Sequence, residues 1–204
     1  MPKPASPATH RVSRSAKRSR NGRSDGAAGE AMAVHRSEAL TSFDGSLIQV
    51  TFCSLYDHVG PMRDVVINLK YHGVQSLAKD VAQMLSPVIM EFNDIDVITW
   101  APTSSTRHKE RGFDHSELIA RHCAAVTHIA HRKLLRRANG EHQTGQGRQV
   151  RLEQPRFIAR PMRAQRVCVV DDVMTTGATL RAAAQALVNR GATGVRCLSL
   201  TYVK

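Results

Sequence analysis

The sequence predicts an α/β layered domain with a mainly parallel central sheet flanked by helices. Two observations carry this. From residue 47 onward, strand-like apolar segments alternate with segments of helical periodicity. The strand-like segments near residues 97 and 169 also lack polar alternation, the pattern of strands buried on both faces. The composition agrees: 204 residues, 42% hydrophobic and 23% charged, are close to globular averages and long enough for a core without covalent staples.

The elements follow in order. Leu47 to Cys53 (LIQVTFC) is β-branched and apolar, an edge or hairpin strand. Pro61 opens a helix at its first position, and Met62, Val65, Val66 and Leu69 give it one apolar face before Gly73 ends it. Leu77, Val81, Met84, Leu85 and Val88 mark a second helix with Pro87 near its end. Ile95 to Ala101 is a short strand halted by Pro102. Residues 103–112 read as a polar, basic loop. Asp114 with Glu117 three residues on forms a capping box for a third helix. The stretch 139–156 is polar, carries Gly140, Gly145 and Gly147, and takes no assignment. Arg166 to Val170 is a strand, Ala178 to Arg190 a helix stopped by Gly191, and Val195 to Val203 a last strand.

Residues 1–40 differ from this pattern. They hold eight Lys or Arg against three acids, are rich in Pro, Ser, Gly and Ala, and contain few large apolar side chains. Such a segment cannot bury enough surface to offset its ordering entropy, so a disordered basic tail is expected over 1–40, with the domain at 41–204. Three readings of the tail stay open. It is a solvated tail or a start placed ahead of Met32; or an arm whose Arg14, Lys17, Arg18, Arg20 and Arg23 neutralise nucleic-acid phosphates; or a transit peptide. The formal net charge of +12 calls for an anionic partner. No apolar run reaches 18 residues, so membrane insertion is not expected, and no signal-like apolar stretch follows the basic start. The four cysteines (Cys53, Cys123, Cys168, Cys197) are single and far apart, which excludes CxxC zinc knuckles and points to a reducing, cytoplasmic setting. Cys168 and Cys197 read as small core residues. The pairs His108 and His115, or His128 and His131, lack a third ligand at zinc-like spacing, so no zinc is expected.

In open parallel sheets ligands bind beyond the carboxyl ends of the strands, which selects residues 102–112 and 171–179. The second segment is the more informative: VCVVDDVMTTGATL, Val167 to Leu180. A buried strand delivers adjacent carboxylates, Asp171 and Asp172, to the sheet edge. Thr175, Thr176, Gly177, Ala178 and Thr179 then lead into a helix. Backbone N–H groups and hydroxyls at a helix start cradle an anion. Paired carboxylates accept hydrogen bonds from vicinal hydroxyls or hold a divalent cation. Phosphate and diol on one ligand describe a sugar phosphate; an acidic turn before an ordinary capped helix is the plainer alternative.

Four apolar residues, two acids, two variable residues and T-T-G-A-T resemble the phosphoribosyl pyrophosphate (PRPP) signature of type I phosphoribosyltransferases. Leu69 to Gly73 (LKYHG), the Ala101-Pro102 turn, Arg107 to Phe113 (RHKERGF) and the terminal GATGVRCLSL then resemble, in matching order, the ComF family, phosphoribosyltransferase-like proteins associated with DNA uptake. The resemblance covers roughly residues 50–203. Three features differ: no N-terminal four-cysteine zinc ribbon precedes the domain; the family's R-G-F-N-Q reads Arg111-Gly112-Phe113-Asp114-His115; and its Q-x-x-L segment survives only as Gln143-Thr144-Gly145-Gln146 with Arg148 and Arg151.

The resemblance implies a type I phosphoribosyltransferase-like fold with a small hood. It implies magnesium-bound PRPP as co-substrate and transfer of the phosphoribosyl group to a nitrogen acceptor, in a context of DNA uptake and competence. Asp171 and Asp172 would hold the ribose hydroxyls and Mg2+. Thr175, Thr176, Gly177, Ala178 and Thr179 would hold the 5′-phosphate, with Arg107 and Lys70 as further ligand-binding groups. Lys109 and Arg111 would act with the acidic pair in catalysis. Alternate spacing in an extended loop would set Arg107, Lys109 and Arg111 on one side toward pyrophosphate. Asp172→Asn is expected to abolish ligand binding with little change in melting temperature. The cluster Arg132, Lys133, Arg136, Arg137, Arg148 and Arg151 is either a hood rim or a nucleic-acid patch. The alternative function is a non-catalytic protein of this fold that binds single-stranded DNA or a competence partner, although five Phe, three Tyr and one Trp offer few stacking platforms. A homodimer is compatible with the sequence.

Overall fold

A computed structural model describes residues 33–138 and 155–204. In chain order the elements are β1 (Ala33–Thr41), β2 (Leu47–Asp57), α1 (Gly60–Tyr71), α2 (Leu77–Glu91), β3 (Val97–Trp100), α3 (Ser105–Arg111), α4 (His115–Thr127), β4 (Ala130–His131), β5 (Leu135–Arg137), β6 (Phe157–Ala159), β7 (Gln165–Met174), α5 (Ala178–Val188) and β8 (Ala192–Tyr202). The main sheet has six strands in the order β1-β2-β8-β7-β3-β4. All its pairings are parallel except the β1–β2 hairpin. β5 and β6 form a separate antiparallel pair, the small hood, which packs on α5.

The absence of polar alternation in the central strands has a direct cause. Val167 and Val169 of β7 enter one core with Leu180 and Leu187 of α5. Cys168 and Val170, the intervening residues, enter a second core with Ile119 of α4 and Leu85 of α2. Every position is therefore buried on one face or the other. All four cysteines are buried in this interior. Burial pushes the Cys53 thiol up to about 11 and Cys123 up to about 12, which leaves both protonated at neutral pH. No helix among the described residues is long and apolar enough to cross a membrane.

Three expectations change. Regular structure extends at least eight residues before the boundary expected at 40/41, because residues 33–40 belong to strand β1, which pairs with β2 from Ala33↔Ser54 to Thr41↔Leu47. Composition hid it: an edge strand carries charged residues such as exposed Arg36 and half-buried Glu38. Residues 1–32, and with them the readings of the tail, lie outside the described residues. The basic loop is largely a helix, α3, whose first turn is capped by Ser104 accepting from the Arg107 amide. Finally, β7 continues to Met174, so the acidic pair stands within a strand rather than beyond its end.

β3 and β7 are adjacent, and the chain leaves them in opposite directions. After β3 it proceeds to α4, packed in the core with Cys168 and Val170. After β7 it proceeds to α5, packed in the opposite core. This is the switch point of the sheet, where the two exits part and open a crevice.

Candidate functional site

Two carboxylates stand at this crevice. Asp172 is buried, its side chain 4% exposed, and its Oδ2 lies 3.0 Å from Lys70 Nζ and 3.1 Å from His115 Nε2. Asp171 is half-buried and its Oδ1 accepts from Ser116 Oγ at 2.8 Å and from the Asp172 amide at 2.9 Å. Lys70 arrives on the last turn of α1, and His115 and Ser116 on the first turn of α4. Asp114 fixes that turn: its Oδ1 accepts from the amides of Ser116 and Glu117, and its Oδ2 from the Thr103 amide. The expected cap is thus present, and it also ties α4 to the segment leaving β3.

Arg111 ends α3 with its guanidinium 4.9 Å from the centroid of Tyr71 and Nη1 3.4 Å from His115 Nδ1. Arginine can only donate, so Nδ1 accepts and the ring proton sits on Nε2, directed at Asp172. A second histidine lies behind the pair. His58 Nδ1 is 2.9 Å from Thr201 Oγ1, and that hydroxyl donates to the Asp172 main-chain oxygen at 3.4 Å. Burial and the nearby cations Lys70 and Arg63 lower the His58 pKa.

The two carboxyls are electrostatically unequal. Burial and the neighbouring Asp172 carboxylate push Asp171 up to about 7, against the pull of Lys70, Ser116 and His115. Burial would also raise Asp172, but the hydrogen bond from His115 and the Lys70 ammonium outweigh it and hold that group below the ordinary carboxylate range. His115, Asp171 and Asp172 each offer a ligand atom within 4.8 Å of the others. Two hard oxygen donors that repel one another suit Mg2+, which would supply the missing positive charge. His115 Nε2 lies 3.1 Å from Asp172 Oδ2, and the carboxylate oxygens are the harder donors that would hold the ion.

Beyond β7 the chain turns through Thr175 and Thr176 to Gly177, which caps α5 at φ 73°, a left-handed conformation that glycine adopts without strain. Thr176 Oγ1 accepts from the Ala178 amide at 3.3 Å. The first-turn amides of α5 have no intrahelical acceptor and face outward from the helix start, as an anion cradle requires.

The structure therefore gathers Lys70, Arg111, Asp171 and Asp172 in one cluster, with residues 175–179 following directly. It does not line up the three basic residues of α3. A helix turns about 100° per residue, so Arg107 and Arg111 share a face while Lys109 points elsewhere. Lys109 is exposed and makes no hydrogen bond or ion pair among the described residues. Arg107 is also exposed, but electrostatically coupled to half-buried Arg137 of the hood strand β5, whose guanidinium sits 5.7 Å from the Phe157 centroid. Gln143, Gln146, Arg148 and Arg151 lie outside the described residues. Sequence reasoning gives no role to Ser116, His58 or Arg36, and it weighs His115 only as a zinc ligand beside His108 and as a departure from R-G-F-N-Q; its place in the first turn after Asp114 is the signal for its role here.

Residues 55–204 match the phosphoribosyl transferase domain family. The DNA utilization protein YhgH of Salmonella typhi is 29% identical over 161 residues, 72% of this chain and 71% of that protein. The competence protein ComFC of Bacillus subtilis is 28% identical over 145 residues, 68% of this chain and 58% of that protein. A purine phosphoribosyltransferase from Pyrococcus horikoshii aligns in structure with a TM-score of 0.39 at 17% identity, over 62% of this chain and 80% of that one. The chain belongs to the phosphoribosyl transferase domain family.

Proposed function

We propose that this protein binds magnesium-PRPP at the crevice between β3 and β7 and transfers the phosphoribosyl group to a nitrogen acceptor, in the context of DNA uptake or utilization. One observation carries the reading: adjacent carboxylates at the switch point lead directly into a Gly-capped helix start, with Lys70 against Asp172 and Arg111 beside Tyr71 and His115. The chemistry is a substitution at the anomeric carbon. The bond to pyrophosphate oxygen breaks, the bond to the acceptor nitrogen forms, and the nitrogen releases its proton. Asp171 and Asp172 accept hydrogen bonds from the ribose hydroxyls. Bound Mg2+ would neutralise charge on the acidic pair and the pyrophosphate. Lys70 and Arg111, already held by Asp172 and Tyr71, face the charge that grows on the leaving group. The loop from Thr175 to Thr179 receives the 5′-phosphate. The hood, with Arg137 over Phe157, stands where an acceptor enters.

The test is thermal unfolding of the full chain with PRPP, with and without Mg2+. A ligand at 100 times its Kd adds about 2.7 kcal/mol, a rise of roughly 5–10 °C for a domain of this size. That rise is expected only with Mg2+ present. No rise at millimolar PRPP would favour a second reading, in which the fold binds single-stranded DNA without catalysis. The exposed Lys109 and the names of the relatives motivate that reading. Its mark is a DNA affinity that falls steeply with salt.

A further inference from the structure

We infer that Arg36, on the edge strand β1, is a positioning residue of the phosphate loop; this rests on the reading of residues 175–179 given above. Arg36 Nη1 donates to the Thr176 carbonyl at 3.4 Å. Its guanidinium also covers Gly177: a Cβ built there would meet Nη2 at 3.0 Å. The group is held from two other directions. Its Cζ stacks 4.3 Å from the centroid of Phe52, which is fully buried. Its Nε lies 3.8 Å from Glu38, and Glu38 accepts in turn from Arg181 Nε, in the first turns of α5, at 3.1 Å.

The geometry has a direct consequence for the loop. In a trans peptide the carbonyl and the following N–H point in opposite directions. Arg36 grips the Thr176 carbonyl from the β1 side, so it turns the Gly177 N–H toward the other side, where an anion would lie. Gly177 is the residue most in need of such a hold, because its left-handed conformation is one that glycine can leave freely. The guanidinium also brings a positive charge against the loop. A strand distant from the loop in sequence thereby sets the aim of an amide in the phosphate cradle.

The experiment titrates the full chain with two probes, ribose 5-phosphate and inorganic pyrophosphate, for wild type, Arg36→Met and Arg36→Lys. Methionine keeps an apolar stem over Phe52 and removes the donors. The expected result is a loss of about tenfold or more in ribose 5-phosphate affinity for Arg36→Met, with pyrophosphate affinity unchanged and partial recovery in Arg36→Lys. The split matters because loosened packing would weaken both probes alike. Wild-type affinity for ribose 5-phosphate in Arg36→Met, or equal losses for both probes, overturns the role of Arg36. A wild-type chain that binds neither probe overturns the phosphate reading itself and this inference with it.

Discussion

Asp172→Asn is expected to lower the thermal midpoint at pH 7 by roughly 5–10 °C and to abolish magnesium-dependent PRPP binding. Sequence reasoning assigned Asp172 to ligand alone and anticipated an unchanged melting temperature. The structure puts it in both roles. The carboxylate is 4% exposed, 3.0 Å from Lys70 Nζ and 3.1 Å from His115 Nε2. Breaking a fully buried ion pair costs about 3–5 kcal/mol. Lys70 is 21% exposed and can turn to water, and asparagine still accepts one hydrogen bond, so about 2–3 kcal/mol is expected. The pH dependence gives a second check. The folded-state pKa of Asp172 is depressed, so its contribution is complete above 3.8 and fades as pH falls through the folded value. The gap between variant and wild type should be full at neutral pH and shrink only below pH 3.8. A variant that melts like wild type at pH 7 would show that Lys70 and His115 do not rely on this carboxylate.

Asp171→Asn is expected to move stability the other way. Burial and the Asp172 carboxylate raise Asp171 to about 7 from 3.8. A raised carboxyl stabilises the fold fully below its unfolded pKa, and that contribution is lost as pH climbs through the folded value. Wild type therefore forfeits stability between pH 3.8 and about 7, and the asparagine variant does not. Asparagine retains the acceptor for Ser116 Oγ and the Asp172 amide. Above pH 7 the variant should be more stable by about 1–3 kcal/mol, while its magnesium-dependent PRPP binding disappears. Denaturant unfolding at pH 5 and pH 8 checks the sign: the advantage must grow with pH. A constant or shrinking advantage would mean that repulsion within the pair is not what strains the site. The opposed signs of the two substitutions distinguish the two acids, which look equivalent in the sequence.

Much of the fold was legible because its physics is local. Valine runs without polar alternation identify strands sandwiched between two cores, and Asp114 with its following amides marks the start of α4. The signature from Val167 to Leu180 placed the acidic pair and the glycine cap because strand, turn and helix are contiguous there. What was not legible depends on contacts between distant segments. Arg36 meets Thr176 across 140 residues, and Ser116 meets Asp171 across 55. α3 was misread because six exposed polar or charged residues in succession carry no hydrophobic period; Ser104 at its start and Gly112 at its end, at φ 77°, were the only local signals. Of the three basic residues, only Arg111 meets the cluster, through His115 and Tyr71, because a helix rather than an extended loop carries them.

The hairpin has a consequence for handling the protein. β2 is buried over Val50, Thr51, Phe52, Cys53 and Ser54, and β1 covers one of its two hydrogen-bonding edges along eight paired positions. A chain shortened to begin at residue 42, just past the end of β1, would leave the eleven-residue β2, with its buried centre, exposing open amides and carbonyls at the margin of the sheet. Such a margin recruits other strands and drives self-association. Shortening to residue 33 instead retains the covering strand. Light scattering should find the longer of the two trimmed proteins monodisperse and the shorter one aggregating, so the charged ladder of β1 works as a guard against misassembly as much as a part of the fold.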